Sequence, residues 1–326
     1  MKIMAAAFAV LMLGAGAARA QDCGLKQYDS IPLEVYPDRL LVPVTFGDKP
    51  EKLVLHLENA ANNIGAEAAK ALDLGLHSMP GNLKFHIGDE EVQSYVRVPD
   101  FRMGRLNAGG MEFLVVHSQR YGDGAIGTLG THIFEKMDFE LDLAGGKLNL
   151  LSPDHCPGKA VYWTQTGFAQ VPLKSSPELG YIRAEMMLDG HAITVGFSTV
   201  GQSRIGMNAM RRIFGIDETS PDLVQVSQDL MGHKVYRYAF KSLTADGLTV
   251  NNPAILVFDE QPRPECNDKL HFAPPENDTG HLDAPPRLAR CLGGNDAILG
   301  LSVLKKLHIY VSGKEKLIYL TSAEAH

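Results

Sequence analysis

The stretch Val54-Leu-His-Leu-Glu-Asn-Ala-Ala-Asn-Asn-Ile64, followed by Ala68-Ala-Lys-Ala-Leu-Asp-Leu74, returns in outline later in the chain. The later copy is Ile193-Thr-Val-Gly-Phe-Ser-Thr-Val-Gly-Gln-Ser-Arg-Ile205, followed by Met210-Arg-Arg-Ile-Phe-Gly-Ile216. Each copy reads as a strand, a turn of small and polar residues, a resumed strand and a short helix. Upstream of the first copy, Ile31 to Leu57 alternates as strands around a turn at Gly47 to Pro50, with Val42, Val44 and Phe46 on one face. Upstream of the second, Tyr181 to Phe197 repeats the pattern, and Asp189-Gly190 is a tight-hairpin signal. One short helix is expected per copy, over 66–72 and 208–213.

A second signature closes each half. Asp123-Gly-Ala-Ile-Gly127 leads to Met137-Asp-Phe-Glu-Leu-Asp-Leu143 and Lys147 to Leu151; Asp296-Ala-Ile-Leu-Gly300 leads to His308 to Val311 and Lys316 to Leu320. The boundary falls near Pro157-Gly158. The chain is therefore expected to be all-β, with lobes over 21–158 and 159–326. Leu57 to Ser198 and Gly127 to Gly300 are offsets of 141 and 173, so the copies agree in order and differ in loop length. Most of that difference lies in 260–291, a segment rich in Pro, Asn and Asp that reads as a long surface loop.

These segments resemble the retropepsin-like aspartic peptidases of the pepsin and retropepsin clan, in the two-lobed form with bacterial members. That family writes the first stretch as apolar-apolar-Asp-Thr-Gly-Ala and ends the helix in Leu-Gly-Leu. The resemblance implies two pseudo-symmetric lobes around one cleft, with a catalytic aspartate from each. Anchoring each copy on its isoleucine, Ile64 or Ile205, places Leu57 and Ser198 at the aspartate positions. Sliding the first copy by one residue places Glu58 there instead, at the cost of Ala60 in a turn where the family uses glycine. Between Gly190 and Asn208 there is no Asp or Glu, so a carboxylate pair is expected to be missing in either register. The resemblance makes Thr199 the family threonine that bonds across the lobe interface, with Asn59 or Glu58 as its polar counterpart. It also makes Gly127 and Gly300 the closing glycines beside each turn, where backbone passes backbone. Hairpins around Gly88-Asp89 and Gly232-His233 take the place of flaps over an extended ligand.

Lys2, the apolar run from Ile3 to Leu13 and Ala18-Arg-Ala20 read as a secretory signal peptide over 1–20. Export to the periplasm or the cell exterior is the corresponding expectation, and no later run is long enough to span a bilayer. The remaining chain of about 305 residues suits two domains of ordinary size. The four cysteines are Cys23, Cys156, Cys266 and Cys291. An even count in an exported chain favours disulfides over metal ligation. Three pairings are possible; Cys23 with Cys156 and Cys266 with Cys291 would give each lobe its own staple, and four buried thiols is the alternative.

A net charge of -7 without a basic cluster argues against nucleic acid. The 12 histidines show no His-Glu-x-x-His or clustered Cys/His spacing. His271, His281 and Asp283 read as solvated loop residues. Neither a Gly-x-Ser-x-Gly elbow nor a phosphate loop is present, and Ser203 reads as a turn residue. No metal and no cofactor is expected. The sequence thus points to an exported, monomeric, inactive homologue that binds an extended peptide or protein segment between its lobes. One alternative is an active endopeptidase that pairs Glu58 with another carboxylate such as Asp123 or Asp296; another is an envelope protein whose loop fills its own cleft.

Overall fold

The computed structural model describes residues 24–80, 85–87, 90–119, 121–165, 167–174, 182–229, 232–259 and 295–323. The expected signal peptide, Cys23, Gly88, Asp89, Cys266, Cys291 and the segment 260–291 lie outside the described residues. Cys156 is disulfide-bonded, so the expected pairing also involves residues outside that set.

The molecule is mostly β, in two halves joined by one shared sheet. That sheet has six strands in the order Gln27–Pro32, Lys147–Leu151, Asp138–Asp142, Leu307–Ser312, Leu317–Ser322 and Ala169–Pro172. The first three come from one half and the last three from the other. They meet where Asp138–Asp142 runs antiparallel to Leu307–Ser312, with Glu140 opposite Tyr310.

Each half builds a larger sheet around the repeated stretch. In the first, Leu40–Phe46 turns at Gly47 (φ 65) into Lys49–Leu55, and Val42, Val44 and Phe46 are buried together as their alternation implies. In the second, Arg183–Leu188 turns into His191–Phe197. Asp189 and Gly190 take φ values of 47 and 82 there, the pair of left-handed conformations that a type I′ turn demands and that Asp-Gly tolerates. Lys49–Leu55 then pairs in parallel with Gly127–Leu129, and His191–Phe197 pairs in parallel with Ala297–Leu299. Covered on both faces, these strands end in the apolar runs Leu53-Val54-Leu55 and Val195-Gly196-Phe197.

The expected helices form as Ala66–Ala71 and as Met207–Ala209 continuing into a wider turn over Met210–Phe214, which Gly215 ends at φ 67. Each half adds one helical turn directly after its closing strand, at Thr131–Phe134 and Leu301–Leu304. Among the described residues, no helix is long and apolar enough to cross a membrane.

The outer face of the shared sheet is held by a polar network under the segment from Ser152 to Thr164. His155 Nε2 meets Asp138 Oδ2 at 2.9 Å, and the Tyr310 hydroxyl donates to the same oxygen at 3.0 Å. His308 Nε2 meets Glu140 Oε1 at 2.7 Å, and the Tyr162 hydroxyl donates to Glu140 Oε2 at 2.7 Å. Trp163 lies flat on His308 with ring centroids 4.2 Å apart, and its indole N–H donates to Thr321. Both carboxylates are about as buried as core leucines, each 1% exposed, so their partners compensate a large desolvation cost.

Burial alone would lower the pKa of His155. The Cys156 carbonyl, Asp138 and Glu315 outweigh it and hold His155 above its ordinary value. A histidine raised on folding contributes stability that is complete below its ordinary pKa and is lost as pH rises through the raised one. The melting temperature is therefore expected to fall as pH rises from mildly acidic into the alkaline range. In His155→Gln, calorimetry over the same range is expected to show a lower melting temperature in acid and a flatter profile.

Candidate functional site

The two repeated turns meet at the interface of the halves, and hydrogen bonds fix which residues correspond. His56 N–H donates to Leu129 C=O at 2.9 Å, and Ser198 N–H donates to Leu299 C=O at 2.9 Å. Thr131 N–H donates to Asn59 C=O at 2.8 Å, and Leu301 N–H donates to Gly201 C=O at 3.1 Å. A Cβ built on Gly130 would meet Ala60 O at 2.4 Å, and one built on Gly300 would meet the Gln202 carbonyl carbon at 2.4 Å. Across the halves, His56 thus corresponds to Ser198, Leu57 to Thr199, Glu58 to Val200 and Gly130 to Gly300.

This corrects the sequence alignment in two places. The counterpart of Ser198 is His56, not Leu57 or Glu58. Resumption of the strand explains the error: Asn63 stands opposite Thr128 as Arg204 stands opposite Ile298. The first turn therefore holds one residue more than the second, and an alignment anchored on Ile64 and Ile205 slips by one. The extra residue is Ala61, because Ala60 and Gln202 still correspond at the glycines. Reading forward from the strands, Leu55-His56 against Phe197-Ser198, would have given the right pair. Likewise, the closing glycine of the first half is Gly130 and not Gly127. Gly127 is still tightly confined, since a Cβ there would stand 2.1 Å from Asn63 O.

Thr199 does bond across the interface. Its hydroxyl donates to Leu55 C=O at 2.6 Å and accepts the Leu57 N–H at 3.2 Å. Its counterpart is Leu57, rather than Asn59 or Glu58, so the clasp is one-sided. Leu57, 2% exposed, belongs to the apolar core and does not form the cleft floor. More backbone joins the halves nearby: Gly201 N–H donates to Asp38 C=O at 2.7 Å, and Arg39 bridges Val200.

Where the two turns meet, His56, Glu58 and Arg204 are partly exposed, and Ser198 lies buried next to Thr199. Ser198 is fully buried, and its hydroxyl donates to Val200 C=O at 2.8 Å while accepting the Val200 N–H at 3.2 Å. Glu58 Oε1 faces Arg204 Nη2 from the other half at 3.6 Å. Burial pushes the imidazole of His56 below its ordinary pKa; Glu58 opposes that shift and Arg204 adds to it.

The carboxylates considered as partners for Glu58 are engaged elsewhere. Asp123 pairs with Arg39 at 3.6 Å. Asp296 accepts the Thr194 N–H at 2.8 Å and binds Arg212. Ser203 is structural, since its hydroxyl accepts the Gly300 N–H at 2.9 Å as Asn62 accepts that of Gly130.

Of the expected flaps, the second forms from Val224–Gln228 and Lys234–Arg237, with Gly232 at φ 83 and His233 bound to Asp229. In the first, Phe85–Ile87 pairs with Glu90–Val92. Glu90 anchors that hairpin by accepting from Ser118 Oγ and from the N–H groups of His117 and Ser118. Burial would raise the Glu90 pKa, but these donors bring it down to about 2.

No family model and no curated protein matches the sequence. Among solved structures, the aspartic proteinase of Irpex lacteus aligns over 91% of this chain and 98% of its own, at 13% identity and a TM-score of 0.50. Basic 7S globulin from soybean aligns over 93% of this chain and 96% of its own, at 8% identity and a TM-score of 0.48. The fold is that of the pepsin-like aspartic proteinases, as the sequence resemblance implied.

Because Thr199 satisfies two buried backbone groups of the opposite half, Thr199→Val is expected to lower unfolding stability by about 1–3 kcal/mol. Denaturant titration measures it.

Proposed function

We propose that this chain holds an extended polypeptide segment in a pepsin-like cleft without hydrolysing it. The carrying observation is that His56 and Ser198 hold corresponding positions in the two turns, which we read as the positions of the fold family's two aspartates. Peptide hydrolysis of the pepsin kind needs two carboxylates sharing a proton, one to activate water and one to polarise the carbonyl. A neutral imidazole offers one proton acceptor, and the proton of the Ser198 hydroxyl is already given to Val200. Glu58, the acid at the floor, faces Arg204 rather than a second acid.

What remains suits binding. Two opposed lobes and two hairpins offer strand edges to a ligand backbone, whose amides pair as an added strand. The apolar leader from Ile3 to Leu13 supports a setting outside the cytoplasm. Both halves lie in one chain, so the cleft is complete in a monomer.

Unfolded, carboxymethylated casein is the test substrate. The chain is expected to retain casein fragments on a column and to leave casein intact from acid to neutral pH. Cleavage that Glu58→Gln abolishes would establish the endopeptidase reading instead.

A further inference from the structure

Arg204 differs from several arginines on this surface. Arg39, Arg97 and Arg102 each close on an acid of their own lobe at 2.6 Å. The nearest acid to Arg204 is Glu58 at 3.6 Å, on the opposite lobe and beyond hydrogen-bond length. Its side chain makes no hydrogen bond to a described residue, and about a third of it, 36%, is exposed. Beside it the imidazole of His56, half-buried, likewise bonds to no described residue. A guanidinium and an imidazole close enough for one charge to act on the other thus stand where the turns meet, neither hydrogen-bonded to a described residue.

We propose that this floor is a carboxylate-recognition site, in which Arg204 and His56 take the side-chain carboxylate of an acidic residue in the bound segment. The proposal deepens the polypeptide-binding reading and rests on it for the identity of the ligand. A planar fork matches a carboxylate with two parallel bonds, which a neutral amide cannot reciprocate. Glu58 balances Arg204 in the empty cleft and is too far away to fill the fork. An incoming carboxylate would place two anions around one cation. His56 can restore the balance by taking up a proton, since Glu58 and Arg204 are the charged groups that act on it. Binding should therefore strengthen on acidification through the His56 titration.

Two probes separate this proposal from the reading beneath it. Glutarate, titrated into the intact chain and followed through the ring resonances of His56, is expected to give a saturable shift that grows in acid; methylammonium is expected to give none. Dye-labelled valine- and threonine-rich peptides that differ only in a central Glu, Gln or Lys are expected to bind with Glu preferred about tenfold over Gln. Arg204→Gln should abolish the preference and the glutarate response. Glu58→Gln, which deletes the competing acid, should tighten binding of the Glu peptide.

Equal binding of the three peptides, a preference for Lys, or no response to glutarate overturns the carboxylate site and leaves polypeptide binding standing. A saturable glutarate shift with no peptide retained supports the site and sinks the polypeptide reading.

Discussion

The hydroxyl of Thr199 sets the relation between the halves. It reaches from one turn to the backbone on either side of His56 in the other, accepting from Leu57 and donating to Leu55. Buried amide and carbonyl groups cannot be left without partners, so this contact tolerates little sliding. It decides which side chains stand at the meeting point. Leu55 and Leu57 belong to the clasp and the core, while His56 and Glu58, in the turn that follows the strand, stay partly exposed. Gly130 and Gly300 serve the same geometry from behind, because no Cβ fits between the closing strand and either turn.

The scaffold was largely legible in the sequence, because it is written in local chemistry. Asp189-Gly190 takes the conformation that its dipeptide predicts, and Val42, Val44 and Phe46 line one buried face. Thr199 and Gly300 stand where the resemblance put them. The cleft floor was not legible, and the reason is a single residue. Ala61 lengthens the first turn, so an alignment anchored beyond it is displaced by one residue. It put Leu57, a core residue, on the floor and hid His56. Arg204 left no trace in the sequence either, since its meeting with Glu58 joins a strand of one half to a turn of the other and is made only when the halves dock.

The shared sheet poses a different balance. Asp138, Glu140, His155 and His308 are buried where an apolar layer would have served stability as well. Their bonds are directional. Tyr162 and His155 reach the two carboxylates at set distances and fix the connecting segment in one register over strands from both halves. An apolar layer would allow that segment to slide.

Scaffold and floor are therefore separable. The clasp, the closing glycines and the shared sheet act through backbone geometry and buried bonds, none of which uses the side chain of His56 or the charge at Arg204. Two carboxylates at such a floor repel unless they share a proton, a strain that an active site stores for its chemistry. On the proposed reading, in which His56 and Ser198 stand in those places, that strain is absent. Among the described residues Arg204 has no anion within hydrogen-bond reach. A floor without a pair of acids is, on that reading, one where an acid from outside can bind.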